Sequence, residues 1–281
     1  KWLALSLLVY VVTALMIPEP WTTLLYATLV PHIELNFAFL FIITGVLGTT
    51  ISPYMFFWEA NEEVEEVREH ARLRRGRPPS IHLVDIRRMR IDNFIGMLAS
   101  NVITWCIIVT TATVLHGHGI TNIATAADAA RAIEPLVHTF PHAGYMAKLL
   151  FSVGVIGLGL LAVPVLSGAA SYAVAEAMNW RASLNMRFRR AHGFYGVITI
   201  ATLIGLMINF VGINPMRALV VTAVINGVVA VPLILLVTRI AGDSRVMGRY
   251  ASARLSNLLQ WATFFCMAAA AVGMIGSYFQ P

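Results

Sequence analysis

The chain has 281 residues, of which 58% are hydrophobic and 12% charged, with a formal net charge of +6. That balance excludes an ordinary soluble domain and requires a polytopic membrane protein. It also excludes nucleic acid as the partner of the positive charge, because the arginines gather in loops between long apolar runs, where membrane topology accounts for them.

Apolar runs of about 17 to 25 residues mark membrane-spanning helices. They predict an all-α chain with seven spans, near 2–17, 36–60, 93–115, 146–178, 194–212, 216–239 and 256–278, in one transmembrane domain over 1–281. The first span starts at Trp2, straight after Lys1, without the charged leader and cleavage site of a signal peptide. A chain that opens inside a span on lysine is expected to be a piece of a longer protein. Between Glu19 and Pro31, Trp21, Leu24, Leu25 and Leu29 fall at helical spacing over too short a stretch to span, which suits an interfacial helix on the outer face.

The second span is interrupted near 49–54. Residues 48–60 read G-T-T-I-S-P-Y-M-F-F-W-E-A. Pro53 cannot donate to the helical ladder, so carbonyls near Thr49 and Ile51 lose partners at a depth where a membrane tolerates this only beside protein or water. Freed carbonyls there are what a cation would bind. The helix then runs into the acidic stretch Glu59, Glu62, Glu63, Glu65 and Glu66 and continues as a polar helix to Arg75.

Arginines fill the loops 61–92, 179–192 and 239–255, whereas 18–35 and 116–145 hold Arg131 as their one arginine. The basic loops are therefore assigned to the cytoplasm. By that rule the first span leaves the cytoplasm, the broken one returns, and the seventh ends outside. The outer loop carries His116, His118, His138 and His142, but an H-x-H and two distant histidines do not make a defined ligand set. In the fourth span Ala169, Ala173 and Ala177 recur every four residues with Gly168 and Ser167 beside them, a small face that lets helices approach closely. Cys106 and Cys266 sit in apolar runs without ligand spacing, and no disulfide is expected.

Polar groups in the spans carry the remaining signal, since each is costly unless it meets water or a partner. Glu59 lies seven residues beyond Ser52, about two turns on along one face. It is read as a proton or cation relay or as a carboxylate at the cytoplasmic helix end. Glu176 closes the fourth span, as part of a pathway or as a partner of Arg181. Asn226, followed by Gly227 and then Pro232, offers a side-chain oxygen to a hydrated cation or to a neighbouring helix. Asp92 with Asn93 reads as the cap of the third span, and Asn101 has no assigned role.

The segment G-V-L-G-T-T-I-S-P-Y-M-F-F-W-E-A resembles the sixth span of the NRAMP divalent-metal transporters, where an alanine, two residues and Met-Pro-His are usual. G-L-L-A-V-P-V-L-S-G-A-A-S-Y-A-V-A-E is similar to that family's eighth span and A-V-I-N-G-V-V-A-V-P to its tenth. The resemblance covers the whole chain as spans five to eleven, and suggests the divergent NRAMP-related bacterial branch. It implies a LeuT-type inverted-repeat fold lacking its first four helices, in the bacterial inner membrane. The partner N-terminal helices, with their Asp-Pro-Gly-Asn signature, would supply the other half of the site.

Carried over by position, Thr49 stands where the family offers a backbone carbonyl and Ser52 where it offers a methionine thioether. Tyr54 replaces a histidine, and Glu59 falls at a second one. With Asn226, Thr49 and Ser52 make an oxygen-rich metal set suited to Mn2+ or partly hydrated Mg2+, with strict Fe2+ selectivity less favoured. Tyr54, Glu59 and Glu176 are the pathway or proton-relay residues, and Pro53 is the break. The implied function is secondary transport of divalent cations by alternating access, with proton coupling left open and the metal as cargo rather than cofactor. An organic-solute or amino-acid permease of the same fold is the alternative. No H-E-x-x-H or paired intramembrane aspartate suggests an enzyme.

Overall fold

A computed structural model describes residues 8–16, 21–30, 33–73, 83–115, 119, 125, 142–208 and 210–278. Among them every regular element is helical. The chain divides into two compact units, residues 1–30 with 57–215, and 31–56 with 216–281. Five helices are long and apolar enough to cross a membrane, and a sixth apolar helix, His192–Ile208, is shorter.

The first unit contains α1 (Leu8–Met16), α2 (Trp21–Leu29), most of α4 (Pro53–Leu73), α5 (Leu83–Thr110), α6 (Ala143–Ala177) and α7 (His192–Ile208). Helix α1 packs on α5 and α6. Its anchor is Tyr10, edge-on to Phe151 with ring centroids 5.6 Å apart. Gly154 admits that ring, since a Cβ there would lie 2.7 Å from Tyr10 Cζ. Helix α2 buries no residue and leans on α5 through Trp105, whose Nε1 donates to Thr28 Oγ1 at 3.0 Å. Amphipathic length without burial is what an interfacial helix requires.

Two sequence readings change here. Asp92 is not a helix cap, because α5 begins at Leu83 and carries Asp92 in its interior, 4.0 Å from Arg88 one turn earlier. The polar stretch before the apolar run is itself helical. The small face of α6 is also shorter than the alanine row: Ala169 is buried beside Ser167 and Gly168, but the row leaves the packed face beyond it. Ala177 is exposed and Ala173 half-buried, whereas Gly168, Ser171, Tyr172 and Ala175 are buried at i, i+3, i+4 and i+7. Ser171 Oγ donates to Phe194 O at 2.5 Å, joining α6 to α7.

The second unit contains α3 (Phe37–Ile51), α8 (Pro215–Gly242), the short α9 (Ser244–Met247) and α10 (Arg254–Tyr278). Asn36 caps α3 by accepting from Phe39 N at 2.8 Å. Helix α3 packs along α10, where Leu47, Ile51 and Phe264 surround the buried Ala230, Ile234 and Met267. Large apolar side chains such as Ile42, Leu219, Leu236 and Leu258 remain exposed. Exposure on this scale suits lipid contact and would cause aggregation in water. Cys106 is buried, Cys266 exposed, and both are free thiols.

Candidate cation site

Helix α3 stops for a local reason. Pro53 has no N–H, so Thr49 O, four residues earlier, loses the donor that would continue the ladder. Ser52 supplies the replacement, its Oγ donating to Thr49 O. The Ser52 backbone turns into the left-handed region at φ 48 and ψ 70, after its N–H has donated to Gly48 O at 2.9 Å. Pro53 then opens α4 at the first helical position, where a fixed φ and a missing N–H cost least. Met55 N closes the new turn on Ser52 O at 2.8 Å.

This geometry sets what each atom offers. The Ser52 hydroxyl has committed its proton to Thr49 O, so its lone pairs are the part left to accept. Thr49 O keeps a second lone pair. The Thr49 hydroxyl is turned back onto its own helix, donating to Val46 O at 2.9 Å and within 3.1 Å of Gly45 O. Thr49 therefore contributes a carbonyl rather than a hydroxyl.

Three residues before the end of α3, the helix crosses α8 at very short range. A Cβ on Gly48 would sit 2.6 Å from Ala223 O, and one on Gly227 2.8 Å from Thr44 Cγ2. Only glycine fits on either side. Thr49 follows one crossing glycine in sequence, and the half-buried Asn226 precedes the other. Thr44 is fully buried there, and its Oγ1 has no hydrogen-bond partner. Thr49, Ser52, Pro53, Tyr54 and Asn226 all belong to the second unit, while Glu59 and Glu176 belong to the first. Pro53 is buried, Ser52, Tyr54 and Glu59 are half-buried, and Thr49 and Glu176 are exposed.

In the first unit the structure brings forward a residue that sequence reasoning passed over. Glu65 accepts from Tyr172 OH at 2.8 Å and from Ser183 Oγ at 2.9 Å. Tyr172 OH in turn accepts from Leu184 N at 3.3 Å, and Ser183 Oγ from Asn185 N at 3.1 Å. One turn group away, Trp58 covers Gly168 and meets Tyr172 edge-on at 5.9 Å. Trp58 and Glu65 are seven residues apart, two helical turns on one face. That spacing was the available signal.

Glu176 lines a cleft of about 290 Å³ together with Arg68, Arg181 and Asn61. It makes no ion pair with Arg181 among the described residues. The amide of Asn101 donates to Met97 O at 2.8 Å, an intrahelical role. His142 is exposed at the start of α6 with φ 64, and His116, His118 and His138 lie outside the described residues. Among the described residues no group of three or more His, Cys, Asp or Glu converges, and the oxygens of Thr49, Ser52 and Asn226 are neutral ones.

Comparison with known proteins adds the family. The profile described as Nramp, natural resistance-associated macrophage protein-like, matches residues 1–277. A protein of Clostridium acetobutylicum named divalent metal cation transporter MntH is 26% identical over 240 residues, covering 85% of this chain and 50% of the relative. One of the same name from Ralstonia nicotianae is 23% identical over 240 residues, covering 84% of this chain and 50% of the relative. The chain spans about half the length of the curated relatives it matches.

Proposed function

The chain belongs to the Nramp family, and on that premise we propose that this integral membrane protein forms part of a secondary transporter for divalent metal cations in a bacterial inner membrane. The single observation that carries the proposal is the break itself: Thr49 O loses its ladder donor at Pro53 and keeps a lone pair beside Ser52 Oγ, which donates to it, just past the crossing glycine Gly48. Neutral oxygens are hard ligands, and they support Mn2+ or partly hydrated Mg2+ as cargo over a strictly Fe2+-selective site.

The N-terminal helices of the same protein are proposed partners, contributing the carboxylate that a dication needs and these oxygens lack. Alternating access then takes the cation past the break. Tyr54 and Glu59 on α4 are the groups proposed to relay a proton if transport is a symport, with Glu176 further along the pathway. The role is transport and not catalysis.

The test is uptake of Mn2+, Mg2+, Fe2+ and Ca2+ by the complete protein in proteoliposomes, beside Ser52→Trp. Loss of Mn2+ and Mg2+ uptake in the variant is expected, because an indole at 52 fills the space over the Thr49 carbonyl. Unchanged uptake would rule out this site. Competition by amino acids, with none by metals, would point to a permease instead.

A further inference from the structure

The loop after α6 reads M-N-W-R-A-S-L-N-M-R-F-R-R over 178–190. Its inner atoms are tied down. Trp180 N donates to Ala175 O at 2.7 Å, Ser183 and Leu184 bond to Glu65 and Tyr172, and Tyr195 OH lies 2.9 Å from Met186 O. Its outer side alternates two chemistries. Met178, Trp180, Leu184 and Phe188 are 60%, 47%, 40% and 60% exposed, and Arg181, Arg187, Arg189 and Arg190 are exposed between them. A loop held this firmly does not display apolar side chains by being loose.

Against this loop lies the cleft of about 290 Å³, walled by Arg68 from α4, Arg181, Trp180, Met186, Asn61 and Glu176. Neither guanidinium is in an ion pair among the described residues. We propose that this cleft binds the headgroup of an acidic phospholipid, with its phosphate between Arg68 and Arg181 and its acyl chains passing Trp180 and Met186.

Four observations select that occupant. Two unpaired guanidiniums in one cleft present forked donors to a single phosphate. The exposed apolar residues follow directly on a membrane-length helix, where acyl chains are adjacent and a dissolved anion would gain nothing from them. Glu176 in the wall disfavours a doubly charged phosphate monoester, yet accepts hydrogen bonds from headgroup hydroxyls, which suits a singly charged diester such as phosphatidylglycerol. The volume fits one small ligand and not a protein segment. The site lies wholly within the first unit, and it stands or falls independently of the cargo.

Native mass spectrometry of the full chain in detergent tests this, titrating phosphatidylglycerol against phosphatidylcholine of the same acyl chains. Retention of phosphatidylglycerol should exceed that of phosphatidylcholine by about tenfold, an arginine near anionic lipid being worth about fivefold. The pair Arg68→Gln with Arg181→Gln should remove the preference, and the pair Arg187→Gln with Arg189→Gln, outside the cleft, should keep most of it. Equal retention of the two lipids, or equal loss in both pairs, would overturn the proposal. Displacement of phosphatidylglycerol by inorganic phosphate would overturn it in favour of a soluble anion. If the cleft pair does not fold, salt decides with the unaltered chain. Retention that falls as salt rises supports the site, and retention that ignores salt sinks it.

Discussion

In the second unit α3 meets α8 through glycine, Gly48 on Gly227, with backbone almost touching backbone; in the first, α4 meets α6 through side chains, with Glu65 gathering Tyr172 and Ser183. At the glycine seam the buried Thr44 hydroxyl finds no partner among the described residues, and the Thr49 hydroxyl bonds only back onto its own helix. The glutamate junction is built almost entirely from directional bonds and aromatic edges. Close backbone packing has one acceptable geometry and fails abruptly when an atom is added. A hydrogen-bonded junction loses its members one at a time and by smaller steps.

The largest effect expected from that contrast is at Gly48. Gly48→Val should lower stability by about 3 kcal/mol, because the new Cβ collides with the backbone of Gly227 and Ala223 rather than with a movable side chain. The thermal midpoint of the detergent-solubilised chain measures it. A midpoint equal to the parent's would mean that the seam is not this tight.

Next comes the glutamate junction. Tyr172→Phe removes the donor to Glu65 and the acceptor for Leu184 N, and should cost about 1.5 kcal/mol, since Tyr172 is 1% exposed and its partner is a carboxylate. Combining it with Glu65→Gln should cost less than the sum of the two single losses, as expected for groups sharing a bond. Strict additivity in that double-mutant cycle would show that the 2.8 Å contact contributes nothing.

The smallest stability effect, and the sharpest functional one, is at Ser52. Ser52→Ala keeps the left-handed strain and loses the bond to Thr49 O, for about 1 kcal/mol. Ser52→Gly loses the same bond but relieves about 1 kcal/mol of strain, so its stability should match the parent's. Both should weaken cation binding by a similar factor in calorimetry on the complete protein. A Ser52→Gly protein that binds metal as the parent does would remove the Ser52 oxygen from the ligand set.

Parts of this were legible in advance because their causes are local. The interruption at Pro53 follows from one missing N–H, and the acceptor it orphans, Thr49, is fixed by the four-residue ladder. The short helix Trp21–Leu29 follows from the helical spacing of its apolar residues. Other features depend on partners that no local pattern reveals. Asp92 resembled a cap because the apolar run starts beside it, yet the helix had already begun at Leu83. The small face of α6 was legible at Ser167, Gly168 and Ala169, but the ring of Trp58 that covers Gly168 was not. Glu65 was one of several acids in a row until Tyr172, 107 residues away, singled it out.

By itself the sequence determined the solvent, the helical class and the break, because hydropathy, ladder periodicity and the missing proline N–H act within a few turns of chain. Only the tertiary structure decided which residues share a seam. Gly48 and Gly227 stand far apart along the chain and carry no side chains to advertise their contact, so their approach exists only once α3 and α8 have packed. The same is true of Arg68 and Arg181, which share a cleft because two junctions built on Glu65 hold their elements together.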